Sequence, residues 1–233
     1  MNYRTRAELK DHAKECLVSR FGLLIRVFIL SIFLTLLVSS LTGSLFPGTT
    51  IDSILLGEAA SLIVSAFTGL FSVGSAYIYL KLARGGDASL SDMFYAFTNN
   101  FQTSLGVSFL LGIIGSIPTL AMLFLDLYHL STGTADFVST SICVFVAVIL
   151  YFLLHLFTAQ CEYLLIDEPE KSVREIFSMS AKLMTGNKKR LLLLILSFLP
   201  ITFLAALSLI GVLWIIPYVS MTYALFYLEL KEN

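Results

Sequence analysis

Long apolar runs separated by short polar segments dominate the chain. An α-helix that crosses about 30 Å of hydrocarbon needs about 20 consecutive residues that are mostly apolar. That length picks out residues 21–45, 58–82, 103–126, 138–165, 190–210 and 212–230. The last two runs are separated only by Ile210 and Gly211, so we expect a tight hairpin there, with a merged or re-entrant pair as the alternative. The pattern predicts an all-α, polytopic membrane bundle of six transmembrane helices.

Three of the polar segments open with a hydroxyl residue followed three residues later by an acid. The pairs are Thr5 with Glu8, Ser89 with Asp92, and Ser172 with Glu175. In a capping box the hydroxyl accepts from the third helical N–H and the acid accepts from the N–H of the cap residue. Apolar residues then recur at helical spacing, which predicts three cytoplasmic amphipathic helices. They would either lie at the membrane interface or pack beneath the bundle.

The segments also indicate an internal repeat. The boxes at Ser89 and Ser172 are 83 residues apart, and Pro118 and Pro200 nearly correspond in the spans that follow. We interpret residues 1–233 as a single membrane domain of three units, at about 4–83, 87–166 and 170–233. Each unit crosses the membrane twice, so the repeats are parallel and related by an axis along the membrane normal.

Charge sets the expected orientation. The chain is 57% hydrophobic and 13% charged, with a net charge of -1, which gives no reason to expect a nucleic-acid partner. All 15 Lys and Arg residues fall on one side of the predicted spans, whereas the opposite loops hold Asp52 and Asp136. The positive-inside rule then predicts that both termini are cytoplasmic, with anionic lipid headgroups as partners of the basic segments.

Small residues recur at four-residue intervals in two spans. The third span carries Ser104, Ser108, Gly112 and Ser116, and the second carries Ser61, Ser65 and Gly69. Such ridges let helix backbones approach closely in a membrane. We expect them to pack either within the bundle or between copies, so that a homo-oligomer or a membrane-protein partner is an open possibility.

A stripe of polar residues follows the fourth span. Tyr151, His155, Thr158 and Glu162 have the spacing of one helical face, and the positions 83 residues earlier are Thr68, Ser72, Ser75 and Tyr79. Polar groups in a membrane span usually face the bundle interior. The candidate ligand-binding residues are therefore Tyr151, His155, Thr158, Glu162, Ser72 and Tyr79, together with Arg26. The structural alternative is that Glu162 and Arg26 reach the headgroups and that His155 forms an interhelical hydrogen bond.

No catalytic, nucleotide-binding or metal-binding motif is present, so we expect no enzyme, no cofactor and no metal. Cys16, Cys143 and Cys161 have no metal-ligand spacing and are interpreted as packing residues. The leading hypothesis is a protein that binds or translocates a small or lipidic ligand through a cytoplasm-facing polar cavity. The alternatives are a membrane scaffold or assembly partner and, third, a lipid-linked intramembrane enzyme.

Three stretches carry a family resemblance. They are the Arg-x-x-Leu-Lys-x-x-Ala-Lys opening at residues 6–14, the Ser-x-x-Glu-Ile-Phe-x-x-Ser-x-Lys-Leu-Met-x-Gly stretch at residues 172–186, and the Leu-Trp-x-x-Pro-Tyr to Phe-Tyr ending at residues 213–227. The chain resembles the DUF975 family of bacterial integral membrane proteins, whose function is unknown. The resemblance implies a bacterial cytoplasmic membrane and brings no catalytic residues. Its similarity to the membrane domain of some glycerophosphodiester phosphodiesterases implies lipid-linked chemistry by analogy alone.

Overall fold

The computed structural model describes residues 3–18, 20–46, 50–133, 137–208 and 210–232. These residues form α-helices and one 3-10 helix, with no strand among them, so the predicted all-α fold is confirmed. The α-helices are α1 Arg6–Leu17, α2 Phe21–Leu45, α3 Ile51–Ala83, α4 Tyr95–Thr98, α5 Phe101–Gly115, α6 Ile117–Thr132, α7 Phe137–Thr158, α8 Cys161–Asp167, α9 Val173–Leu183, α10 Lys188–Leu207 and α11 Val212–Glu232. The 3-10 helix, Leu90–Phe94, precedes α4.

Five helical segments are long and apolar enough to cross a membrane, and a sixth span is counted if α5 and α6 form one bent span. The helix axis bends by 48° between α5 and α6. Pro118 lies in the first turn of α6, where its missing N–H costs no hydrogen bond, so this proline suits the start of a new helix after the bend. The multi-pass bundle is therefore confirmed at the level of five or six spans, with α10 and α11 as two separate helices.

The second span is longer than predicted. It begins at Ile51 instead of residue 58, because Thr50 and Ser53 form a capping box that starts the helix earlier. Asp52 is consequently part of the first turn of α3 and not of a loop. The other acidic residue predicted on this side, Asp136, lies outside the described residues.

The predicted amphipathic helices bury one face against the bundle. The buried residues are Leu9, Ala13 and Leu17 of α1, Met93 and Ala96 of the second segment, and Ile176 and Ser180 of α9. The capping boxes at Thr5 and Ser172 are both formed. The second amphipathic segment, which consists of the 3-10 helix and α4, ends at Thr98. The helix is interrupted at Asn99 and Asn100. Asn100 adopts a left-handed backbone conformation, and its side-chain amide donates to the Pro169 carbonyl.

Helix α1 packs mainly against α11. The Lys10 ammonium group donates to the Ser197 carbonyl of α10 at 2.8 Å and lies 4.0 Å from the centre of the Phe198 ring. Pro200 cannot hydrogen-bond to the turn that precedes it, and Lys10 binds a carbonyl of that turn. Partial burial, with Arg6 and Lys14 nearby, lowers the pKa of Lys10. This lysine therefore contacts protein instead of only facing lipid headgroups.

The 3-10 helix crosses α3 at a glycine. A Cβ atom on Gly74 would lie well inside 3.0 Å of the Met93 carbonyl oxygen and only 2.9 Å from the Met93 Cα. Met93 itself is fully buried. The absence of a side chain at Gly74 thus allows the backbone of the second amphipathic segment to contact α3 directly.

The fourth span is interrupted at the point where α9 contacts its backbone. Helix α7 ends at Thr158 and α8 begins at Cys161, so two residues interrupt the helical hydrogen bonds. The Ser180 hydroxyl of α9 donates to the Phe157 carbonyl at 2.7 Å and accepts from the Gln160 N–H at 3.3 Å. Phe157 and Gly74 are 83 residues apart, in agreement with the predicted repeat, although the three-unit organisation stays a prediction.

Ion pairs join several helix ends at one end of the bundle. The Asp167 carboxylate, whose side chain is 6% exposed, pairs with Arg84 at 2.7 Å and with Lys231 at 2.9 Å. The Tyr227 hydroxyl donates to the same carboxylate at 2.8 Å. A second pair joins Arg190 to Glu229 at 2.6 Å. The C-terminal ends of α3, α8 and α11 and the start of α10 therefore meet.

Candidate ligand cavity

A cavity of about 390 Å³ lies between α2, α3, α5 and α11, with Glu162 of α8 in its wall. Its lining is rich in hydroxyl groups, although the helices around it are predominantly apolar. Those on α3 are Ser65, Thr68, Ser72, Ser75 and Tyr79, which include all four counterparts of the polar stripe. From Ser65 to Tyr79 the helix advances by 14 positions, or about 21 Å at 1.5 Å per residue.

Three of the predicted ligand-binding residues are brought together here. Ser72, Tyr79 and Glu162 all line the cavity, and the Ser72 side chain lies beside the Glu162 carboxyl group. Tyr79 is 5% exposed and lies beside Ser220 of α11. The cavity wall therefore brings together polar side chains from α3, α8 and α11.

Tyr151, His155 and Thr158 are not among the residues that line this cavity. The expectation of one shared face assumed a continuous helix from Tyr151 to Glu162, but Ala159 and Gln160 interrupt it, so that Glu162 lies on α8 and the other three residues lie on α7. The rings of Tyr151 and His155 stack on each other at a centroid distance of 5.8 Å. The Thr158 hydroxyl donates to the Leu154 carbonyl of its own helix at 3.2 Å.

Arg26 also lies away from the cavity lining. Its side chain is exposed, and its Nε donates to the Gly22 carbonyl one turn earlier at 3.0 Å. The guanidinium group is therefore directed back toward the start of α2, as the headgroup alternative expects of an arginine in the first turns of a span.

The two small-residue ridges contact each other inside the bundle. A Cβ on Gly69 would lie 2.6 Å from the Ser108 Cβ, and one on Gly112 would lie well inside 3.0 Å of the Ser65 hydroxyl. Helices α3 and α5 therefore pack at close range through these ridges, which form one wall of the cavity. Ser116 does not take part, because it lies at the bend between α5 and α6 and donates to the Ile113 carbonyl at 2.9 Å.

Several lining residues were missed by the sequence analysis. Ser31 and Thr35 of α2 and Ser220 of α11 contribute hydroxyl groups to the cavity. Ser31 and Thr35 are four residues apart, which places them on one face of α2 and is the signal by which they could have been found. Nothing in an otherwise apolar run shows which neighbouring helix that face contacts.

The lining carries a carboxyl group and no basic group. Glu162 takes part in none of the ion pairs formed by the residues that the structure describes. No Lys, Arg or His is found among the described lining residues. If Glu162 is ionised, hydroxyl dipoles are the only groups in the described lining that would stabilise its charge, so a cationic partner would favour the ionised form.

The long apolar helices and the polar cavity between them define a multi-pass α-helical membrane protein. The chain belongs to the DUF975 family, described as a protein of unknown function, whose sequence profile matches residues 1–233. The resemblance inferred from the three sequence motifs is thereby confirmed. No curated protein and no solved structure matches the chain.

Proposed function

We propose that this membrane protein binds or translocates a small or lipidic ligand in the cavity beside Glu162. The observation that carries the proposal is the concentration of a carboxyl group and several hydroxyl groups in one cavity of an apolar bundle. A polar or ionisable group inside a membrane costs free energy and is most often retained for function. The cavity volume of about 390 Å³ is also within the range of small-molecule sites.

The packing of the ridges favours ligand binding over a scaffold role. The scaffold hypothesis required the small residues to offer a docking surface, but Gly69 and Gly112 are already in contact with α5 and α3. The enzyme hypothesis has no support from a catalytic motif in the sequence. Binding, with or without transport, is therefore the function that the geometry supports best.

Native mass spectrometry of the detergent-extracted protein tests this proposal. We expect the wild-type protein to retain a bound molecule, and Glu162→Gln to lose most of it because the carboxylate is replaced by an uncharged amide of the same size. Glu58→Gln is the matched control, since it makes the same chemical change at a residue of α3 that does not line the cavity. Equal retention by Glu162→Gln and the control, or no retained molecule in any sample, would contradict the proposal.

We further propose that both chain ends, and the end of the bundle that holds Asp167, are cytoplasmic in a bacterial cell membrane. The support is that the segments rich in Lys and Arg meet at that end, as the ion pairs of Arg84, Lys231 and Arg190 indicate. Anionic headgroups are the expected partners of the remaining exposed cations.

A reporter fusion checks this orientation. A fluorescent protein joined after residue 233 should fluoresce, and alkaline phosphatase inserted after Gly133, at the end of α6, should be active because this loop lies outside. Fluorescence shows a cytoplasmic location, whereas phosphatase activity shows export. The reverse pair of signals would show that the orientation is wrong.

A further inference from the structure

We propose that the ligand carries a protonated amine, which binds between the Glu162 carboxylate and the hydroxyl oxygens of α3 and α5. This inference rests on the proposed function and names the class of ligand. Its basis is the hydrogen-bonding capacity of the cavity wall, which offers hydroxyl acceptors and a carboxyl group that forms no ion pair among the described residues.

Most of the lining hydroxyl groups have already used their protons. Ser31, Thr35, Ser65, Thr68 and Ser75 each donate to a carbonyl of the preceding turn of their own helix. A hydroxyl group has one proton and two acceptor lone pairs, so after this donation only acceptor capacity remains. These side chains therefore present oxygen lone pairs to the cavity.

Ser108 on α5 provides a second and independent observation. Its residue is 3% exposed, its Oγ atom has no hydrogen-bond partner, and it lines the cavity. A buried hydroxyl group without a partner is destabilising, and a ligand group that donates to the Ser108 oxygen would satisfy part of its hydrogen-bonding capacity, while its own proton still needs an acceptor. An ammonium group has three donors and no acceptor, which matches the five lining hydroxyl groups that have already donated their protons.

The charge of the wall points the same way. Glu162 has no cation within ion-pair distance among the described residues. A ligand carboxylate or phosphate would face this carboxylate without any basic residue to offset the repulsion. A cation instead supplies the missing partner, and hydrogen bonds between ionised groups are the strong ones.

The rest of the lining suits the apolar part of such a ligand. Phe28 and Phe71 have aromatic faces, which attract organic cations, and Leu34, Leu111 and Ile216 complete an aliphatic surface. A small alkyl amine therefore fits the cavity with its nitrogen near Glu162 and its hydrocarbon chain against these side chains.

Three probes of equal chain length test the class of ligand. The full chain in zwitterionic nanodiscs is titrated calorimetrically with butylammonium chloride, butanol and sodium butyrate, with potassium chloride as a control for ionic strength. We expect butylammonium to bind the wild-type protein at least about tenfold more tightly than butanol, and butyrate not to bind, as a charged hydrogen bond requires.

The variants locate the site. Glu162→Gln should weaken butylammonium binding about tenfold or more, whereas Glu58→Gln should bind as the wild type does. If Glu162→Gln does not fold, Ser72→Ala is the second variant, because it leaves the Glu162 carboxyl group in place. Loss of the Ser72 hydroxyl acceptor should weaken butylammonium binding by about threefold.

Four results would overturn the inference. They are equal binding of butanol and butylammonium, butylammonium binding that survives Glu162→Gln, competition by potassium at equal concentration, and no binding of any probe. A neutral or anionic molecule retained by the wild type and lost in Glu162→Gln would leave the proposed function intact while removing the amine. Failure of ligand retention together with failure of all probes would remove both.

Discussion

Replacing Gly74 by alanine should destabilise the bundle more than replacing any other described glycine by alanine. The added Cβ would overlap the Met93 carbonyl oxygen, which is a backbone atom and cannot move aside as a flexible side chain can. Overpacking of a buried site typically costs about 1–3 kcal/mol, and a clash with backbone belongs at the upper end or beyond. The midpoint of thermal unfolding in detergent should fall accordingly.

Gly43→Ala is the matched control for this experiment. Gly43 lies within α2, and a Cβ there would meet no atom within 4 Å. Exchanging a helical glycine for alanine in open space stabilises the helix by about 0.5–1 kcal/mol, so the control should unfold at or above the wild-type midpoint. Similar midpoints for Gly74→Ala and Gly43→Ala would show that the 3-10 helix does not contact α3 as described.

Ser180→Ala should have the second largest effect. The hydroxyl group donates to the carbonyl of Phe157 and accepts from the N–H of Gln160, two backbone groups at the break between α7 and α8. Leaving a buried backbone group unpaired costs about 1–3 kcal/mol, so the loss of both contacts is expected to cost about 2–4 kcal/mol. Ser180 itself is fully buried, which limits access of water to these groups.

Ser178→Ala makes the same chemical change two residues earlier on α9, at an exposed position. Unfolding monitored by size-exclusion chromatography after heating should place Ser178→Ala with the wild type and Ser180→Ala well below both. If the two variants unfold together, the break is stabilised by something other than the Ser180 hydroxyl.

The spans and the packing ridges were predictable because their physical causes are local. About twenty apolar residues satisfy the bilayer, whichever helices are neighbours. Likewise, Gly69 and Gly112 mark close approach wherever the partner helix lies. The bend lies where Pro118, a residue that favours the first turn of a helix, begins α6.

The cavity was predictable only in part, because its composition depends on tertiary contacts. The stripe from Tyr151 to Glu162 was drawn on a continuous helix, and no Gly or Pro at residues 158–161 signals the break. The break is stabilised by Ser180 of α9, and the whole of α8 lies between the break and this residue in the chain. The internal repeat nevertheless pointed to Ser72 and Tyr79, which do line the cavity.

The contact between α1 and α11 has a consequence for biosynthesis. Helix α1 precedes the other described helices and packs mainly against α11, which follows them, so this contact joins segments that are synthesised at different times. A short helix with one apolar and one charged face is stable at the surface of the bilayer before its partner has been made. The contact between α1 and α11 can therefore form only after α11 has been synthesised.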